Sequence, residues 1–304
     1  MFKKIPLFVL LILLIFSIKA YASPYSVNEC FDHLSAQAFR TARTWGIRAV
    51  NNHPQSFYAR LCLGEADYRL GLYKPAIYDF KLAIPLANDK NRLELAYNWI
   101  GGTFNSVGNE KDALMYDFRS LKLARELNNK GDESSDISSI SSIYANEGKL
   151  KKALYYEKKS LALTQTKNGK AIRYGNIGTD YFALGNYAKA IKYQTKALNL
   201  DESIGNYYGT ASDYLNLGHT YTYIKNYLKA KRYIIKGLAM EKKIGNKEWI
   251  GTGYEYLGRL YRNKGDNKEA LSYYTKAYNM YNVSGDASDA QDSLVMINKI
   301  KTGK

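Results

Sequence analysis

Five side chains here are the natural candidates for nucleophilic, proton-transfer or metal chemistry: His33, His53, His219, Cys30 and Cys62. A general base must reach the proton it removes, and a nucleophile needs such a base beside it. His219 is the best placed of the three histidines, yet the local spacing offers it no Ser, Cys or carboxylate partner. Cys30, His33, His53 and Cys62 have the right types for a four-ligand zinc site, but their spacing matches no familiar finger. In an oxidising compartment a Cys30–Cys62 disulfide is the favoured arrangement, with two buried free thiols as the alternative. Gly251-Thr-Gly253 lacks the third glycine and the preceding strand of a dinucleotide loop. These residues predict no enzyme, no metal and no cofactor.

The compartment is read from the N-terminus. Lys3 and Lys4 precede an apolar run from Leu7 to Ile18, and Ala20-Tyr21-Ala22 supplies small residues at a cleavage position. The run is short of the ~20 residues a membrane span needs, so residues 1–22 read as a Sec-type signal, with the mature chain starting near Ser23. The expected destination is periplasmic or secreted. Loss of Lys3, Lys4 and Lys19 lowers the net charge from +16 to +13. Such a chain favours anionic neighbours through long-range attraction that salt weakens.

The elements that must position these side chains emerge from a count. A turn glycine followed five residues later by alanine recurs at Gly71/Ala76, Gly108/Ala113, Gly148/Ala153, Gly185/Ala190 and Gly265/Ala270, with Lys225/Ala230 as a variant. With Ala42 upstream, the alanines are 34, 37, 40, 37, 40 and 40 residues apart. Twelve residues before them stand Gly64, Gly101, Ser141, Gly178, Gly218 and Gly258. Nine before stand Phe104, Tyr144, Tyr181, Tyr221 and Tyr261, and Tyr97, Tyr174, Tyr214 and Tyr254 sit seven residues earlier, two helical turns away on the same face. Three after the alanines come Tyr116, Tyr156, Tyr193, Tyr233 and Tyr273. Each unit therefore reads as two antiparallel helices, the glycine facing the partner alanine and the aromatics filling the wedge, which commits many of the 29 Tyr to the core.

This pattern, W/Y-x-x-L-G-x-x-Y followed by A-x-x-x-F/Y and A, resembles the tetratricopeptide repeat over roughly residues 26 to 282, in a long form of 37–40 residues per unit. The resemblance implies an all-α, right-handed α-α superhelix: seven helical hairpins over residues 23–285 and a capping helix and tail over 286–304, with Leu294, Val295 and Ile297 closing the last apolar face. Three departures stand out. Cys30 and His33 occupy the glycine and aromatic positions of the first unit, and Asp67 replaces the aromatic of the second. Ser138, Ser139, Ser141 and Ser142 crowd the first helix of the fourth, which predicts the loosest unit of the array.

The resemblance also implies that first helices line a concave groove and second helices a convex back. Two residues before each glycine, the groove positions read Cys62, Trp99, Ser139, Asn176, Asn216 and Tyr256. An asparagine there can both donate to and accept from a peptide backbone. His219, Tyr223, Arg259 and Arg262 stand nearby. The expected partner is a protein or peptide, gripped by Asn176 and Asn216, with an acidic group near Arg259 and Arg262. Lysines concentrate on the second helices, among them Lys152, Lys158, Lys189, Lys196, Lys229 and Lys236. A basic convex face docking on an anionic membrane or polymer is therefore the alternative. No nucleic-acid motif accompanies the charge, and the aromatics are committed to packing, which argues against that partner.

Overall fold

The computed structural model describes residues 25–303, so the signal assigned to residues 1–22 lies outside the described residues. The described residues form fifteen α-helices, one short 3₁₀ turn and no strand. In chain order these are α1 Tyr25–Ser35, α2 Phe39–Asn52, α3 Phe57–Arg69, α4 Tyr73–Ala83, α5 Lys90–Ser106, α6 Glu110–Glu126, α7 Lys130–Asn146 and α8 Leu150–Leu163. They continue as α9 Lys167–Ala183, α10 Tyr187–Ile204, α11 Tyr207–Tyr223, α12 Tyr227–Ile244, α13 Lys247–Asn263, α14 Asn267–Ser284 and α15 Ala287–Thr302. Taken in pairs they make seven hairpins and a final helix. The chain divides into two compact units, one ending at Ile143 and one starting at Tyr144, so the division falls inside the serine-rich α7.

The turns explain why the helices stop and restart where they do. Gly205, Gly245 and Gly285 close α10, α12 and α14 at φ of 68, 83 and 86°. That left-handed conformation strongly favours glycine. The next residue, Asn206, Asn246 or Asp286, caps the following helix by accepting a bond from the backbone N–H three residues on.

All seven repeat alanines are fully buried. The close approach they permit differs from the expected glycine–alanine contact. A Cβ added at Gly64, Gly101, Gly178, Gly218 or Gly258 would meet Phe80, Asp117, Gln194, Ile234 or Tyr274 first. Each of these lies four residues after the alanine, one helical turn along the same face. The alanine opens the gap, and the side chain one turn later fills it.

In the N-terminal unit, Phe57, Leu61, Phe80, Ile100 and Phe104 form the core around Ala76, Ala96 and Ala113. Cys30 of α1 and Cys62 of α3 are joined by a disulfide, Cα–Cα 6.3 Å. Asp67, the departure from the aromatic pattern, is buried and paired with Arg43 of α2. In the C-terminal unit, Leu215, Ile234, Leu257 and Leu260 form the main cluster. There α15 packs Ile297, Met296 and Ile300 onto Ala270 and Tyr274. Val295, expected to help close that face, is exposed, because it lies two residues from Ile297 and so points away from it.

Candidate functional site

The first helices of the C-terminal unit bring together residues that are far apart in the chain. Phe182 at the end of α9 stands 4.7 Å from the ring of His219 and 4.8 Å from that of Tyr223, both on α11. On the other side, His219 lies parallel to Tyr256 of α13, centroids 4.1 Å apart and planes 6° apart. Arg259, one turn beyond Tyr256, donates from Nη1 to Tyr223 Oη at 3.0 Å and to His219 Nε2 at 3.3 Å. Its Nη2 bonds Glu255 Oε1 at 2.6 Å. Helical spacing produces this cluster: His219 and Tyr223 are four apart on one helix, and so are Glu255 and Arg259 on the other.

The electrostatics decide what His219 can do. Burial, then the charge on Arg259, pushes its imidazole down to about 3, so it is neutral at physiological pH. A guanidinium can only donate, so Nε2 is the accepting nitrogen and its lone pair faces Arg259. This nitrogen is therefore engaged as an acceptor and not free to take a substrate proton. Burial also raises the Tyr256 hydroxyl, which stays protonated.

Four expected groove residues thus converge, namely His219, Tyr223, Tyr256 and Arg259. Arg262 is exposed one turn further along α13, its Nη1 directed to Met296 Sδ at 3.8 Å. Trp99 belongs to the N-terminal unit, where it stacks on Phe80 at 5.9 Å and meets Tyr68 edge-on. The two asparagines differ. Asn176 Nδ2 donates to Glu157 Oε1 at 2.9 Å, within reach of Arg173 at 3.7 Å from the same oxygen, so its amide is committed inside the protein. Asn216 is half-buried, and among the described residues its side-chain amide makes no hydrogen bond, while its backbone carbonyl accepts from the Thr220 hydroxyl.

Sequence reasoning passed over a set of buried carboxylates. Asp117 in α6 fills the notch over Gly101, 1 % exposed, and neither of its oxygens has a partner. Burial, then Asp136, pushes it up to about 8. Ser120 bridges Glu94 and Asp136 at 3.0 Å each. In the C-terminal unit Asp213 is pushed up to about 8 by burial and by Asp201, to which it is hydrogen-bonded. Glu241 rises to about 7 through burial. For Asp117, and for the buried Glu157, the available signal was the column four residues after each repeat alanine, which reads Phe80, Asp117, Glu157, Gln194, Ile234 and Tyr274. Two acids in an otherwise core column mark where carboxyls enter the interior.

The basic side chains of the second helices have a structural role that charge counting does not show. Tyr193, Tyr233 and Tyr273 each stack between the two aromatics of the preceding helix, with Tyr221–Tyr233 5.5 Å apart and 2° from parallel. Lys196, Lys236 and Lys276 cover these stacks, their Nζ atoms 4.9 to 5.9 Å from ring centroids. Lys152, Lys189 and Lys229 cover Tyr144, Tyr181 and Tyr221 at 5.1 to 5.3 Å. An ammonium over a ring face is attracted by the ring quadrupole, by roughly 0.5–1 kcal/mol when exposed. Among the described residues no helix is long and apolar enough to cross a membrane, and no group of three or more His, Cys, Asp or Glu could hold a metal ion.

Comparison with known proteins places these observations. No curated protein matches the chain. Among solved structures, it is similar to a STAND-class signal transduction ATPase with a tetratricopeptide repeat sensor from Pyrococcus horikoshii. That match has 19 % identity and a TM-score of 0.68, covering 91 % of this chain and 42 % of the other, so the chain spans less than half of that protein. It is similar to a Rap protein, solved in complex with competence and sporulation factor, at 14 % identity and a TM-score of 0.66, covering 95 % of this chain and 90 % of that one. The apo quorum sensor NprR of B. thuringiensis matches at 14 % identity and a TM-score of 0.66, over 91 % and 86 %. A tetratricopeptide repeat family model matches residues 171–243 and 214–282. With that match, residues 171–282 carry tetratricopeptide repeats, and the helix pairs of both units, with these structural likenesses, give the chain the tetratricopeptide repeat fold.

Proposed function

We propose that the chain is an exported, non-catalytic scaffold that holds a peptide or protein tail along the first helices of its C-terminal unit. The observation that carries this reading is the division of labour around His219. Arg259 is neutralised by Glu255 and bonded to Tyr223, whereas the Asn216 amide and the exposed Arg262 keep bonding capacity for a visitor. An asparagine amide can pair with a peptide group in both directions, and a guanidinium offers a fork to a carboxylate. The acidic group of the ligand is assigned to Arg262 alone. The Phe182–Tyr223–His219–Tyr256 cluster gives the ligand's apolar side chains a rigid wall.

Export rests on the leader pattern of residues 1–22, and the absence of a catalytic role rests on the engagement of His219 Nε2 by Arg259. The Rap protein in its complex with competence and sporulation factor supports a ligand-binding use of this fold. A periplasmic or secreted location follows from the leader.

The test is site-specific photo-crosslinking in cells, with the crosslinker at position 212 on α11 and, as a control, at position 236 on α12. A partner captured from 212 and not from 236, and lost in Asn216→Ala and Arg262→Ala chains, supports the reading. Capture that is equal from both positions, or indifferent to both substitutions, ends it.

A further inference from the structure

The first turns of α8, α10 and α12 carry the wrong charge for a helix start. Helix N-termini favour acids, because the unpaired N–H groups there carry partial positive charge. Accordingly α6, α13 and α14 have Glu or Asp in their first turns. The first turns of α8, α10 and α12 have no acid. They hold Lys151, Lys152, Lys189 and Lys229 instead. Across residues 147–152, 184–192 and 224–232 there are nine Lys or Arg and one acid, Glu147. Lys225 adds a second local cost. It sits at φ 60°, the left-handed position that glycine fills at Gly148, Gly185 and Gly265.

Aliphatic side chains stand up from the same turns. Leu228 is 85 % exposed, and Leu184 and Ile224 are exposed too. They are not scattered. One shallow pocket is lined by Gly148, Leu150, Lys151, Lys152 and Leu184, and the next by Leu184, Tyr187, Ala188 and Ile224, with Leu184 common to both. The hairpin turns of three successive repeats thus form one edge with aliphatic and aromatic side chains flanked by ammonium groups. Lys152, Lys189 and Lys229 are steadied on Tyr144, Tyr181 and Tyr221.

We propose that this edge docks on an anionic phospholipid surface. Lysines near such a surface gain from its negative potential, while aliphatic and aromatic side chains enter the headgroup boundary. Lipid is favoured over an acidic protein because the apolar groups project singly from turns and enclose no deep groove. A fluid interface accommodates separate projections, whereas a protein partner needs close-packed complementarity. The lysines of this edge, with Leu184, Ile224 and Leu228, are none of the side chains assigned to the proposed ligand, so substitutions there test this inference apart from that reading.

The test is co-sedimentation of the full mature chain with vesicles of phosphatidylglycerol and phosphatidylcholine in equal parts, against phosphatidylcholine alone, in 50 and 300 mM salt. Binding is expected only to the anionic vesicles and to be at least tenfold weaker at the higher salt. The double substitution Ile224→Asp and Leu228→Asp should lower it a further tenfold, with circular dichroism and thermal unfolding unchanged. Lys225→Gly should raise the unfolding temperature and yet weaken vesicle binding, a pairing that fold damage cannot produce. Tyr78→Asp, an exposed aromatic of the N-terminal unit, should leave binding as it was. The proposal is overturned if the anionic vesicles bind no better than neutral ones, or if the double substitution or Lys225→Gly binds like the parent.

Discussion

His219 lies flat against Tyr256 with ring centroids 4.1 Å apart, while its Nε2 accepts from Arg259 at 3.3 Å. The pair fixes the protonation state of the one histidine that sequence alone could have cast as a base. Its imidazole is depressed to about 3, against an unfolded value near 6.5. The unfolded chain therefore takes up a proton as pH falls below about 6.5, while the fold does not until about 3. Stability is lost across that window. Replacing His219 by Phe should remove an acid sensitivity on the order of 1–2 kcal/mol at pH 4.5, read from denaturant unfolding at pH 7 and 4.5.

The buried carboxyls act in the opposite sense. Asp117 and Asp213 are raised to about 8, so the fold keeps protons that the unfolded chain releases above about 4. Their contribution is complete below pH 4 and is lost as pH rises through about 8. An Asp213→Asn chain, which retains a donor toward Asp201, should lose less stability than the parent between pH 5 and 8.5, by roughly 1–3 kcal/mol. Parallel pH profiles for the two proteins would refute the assignment.

The two asparagines, equivalent by position, should separate by experiment. Asn176→Ala strips a donor from the buried Glu157 and should cost roughly 1–3 kcal/mol of stability. Asn216→Ala should leave thermal unfolding nearly unchanged and weaken the captured partner about fivefold, near the value of one hydrogen bond.

Adjacent glycines of α5 make a sharper contrast. A Cβ at Gly101 would collide with the Asp117 carboxyl, whereas one at Gly102 meets nothing within 4 Å. Gly101→Ala should destabilise by about 1–3 kcal/mol through overpacking. Gly102→Ala should stabilise by roughly 0.5–1 kcal/mol, since it adds helix propensity with no clash. Thermal unfolding of both chains checks the pair.

The Cys30–Cys62 bond closes a separation of 32 residues between α1 and α3. Reduction should cost about 3 kcal/mol, because the unfolded chain regains the freedom the loop had removed. The loss should fall on the N-terminal unit, leaving exchange protection in residues 144–303 near its oxidised level. Hydrogen exchange with and without reductant reads it directly.

The repeat itself was written in the sequence. Glycine, alanine and tyrosine at fixed offsets name the helices, their turns and their buried faces, because those requirements are local and recur every 37 to 40 residues. The seven pairs and the closing helix follow from that count. What recurrence cannot specify is how one repeat's side chains meet the next. That depends on the register between helices of slightly different length, which only the folded chain sets. So Asn176 and Asn216, identical by position, part company because Glu157 reaches only the first. Equally, the filler over each glycine proved to be the residue one turn past the alanine, and the lysines of the second helices lie along tyrosine rings. Local spacing determined the scaffold, and packing between neighbouring helices decided which of its polar groups remain open to a partner.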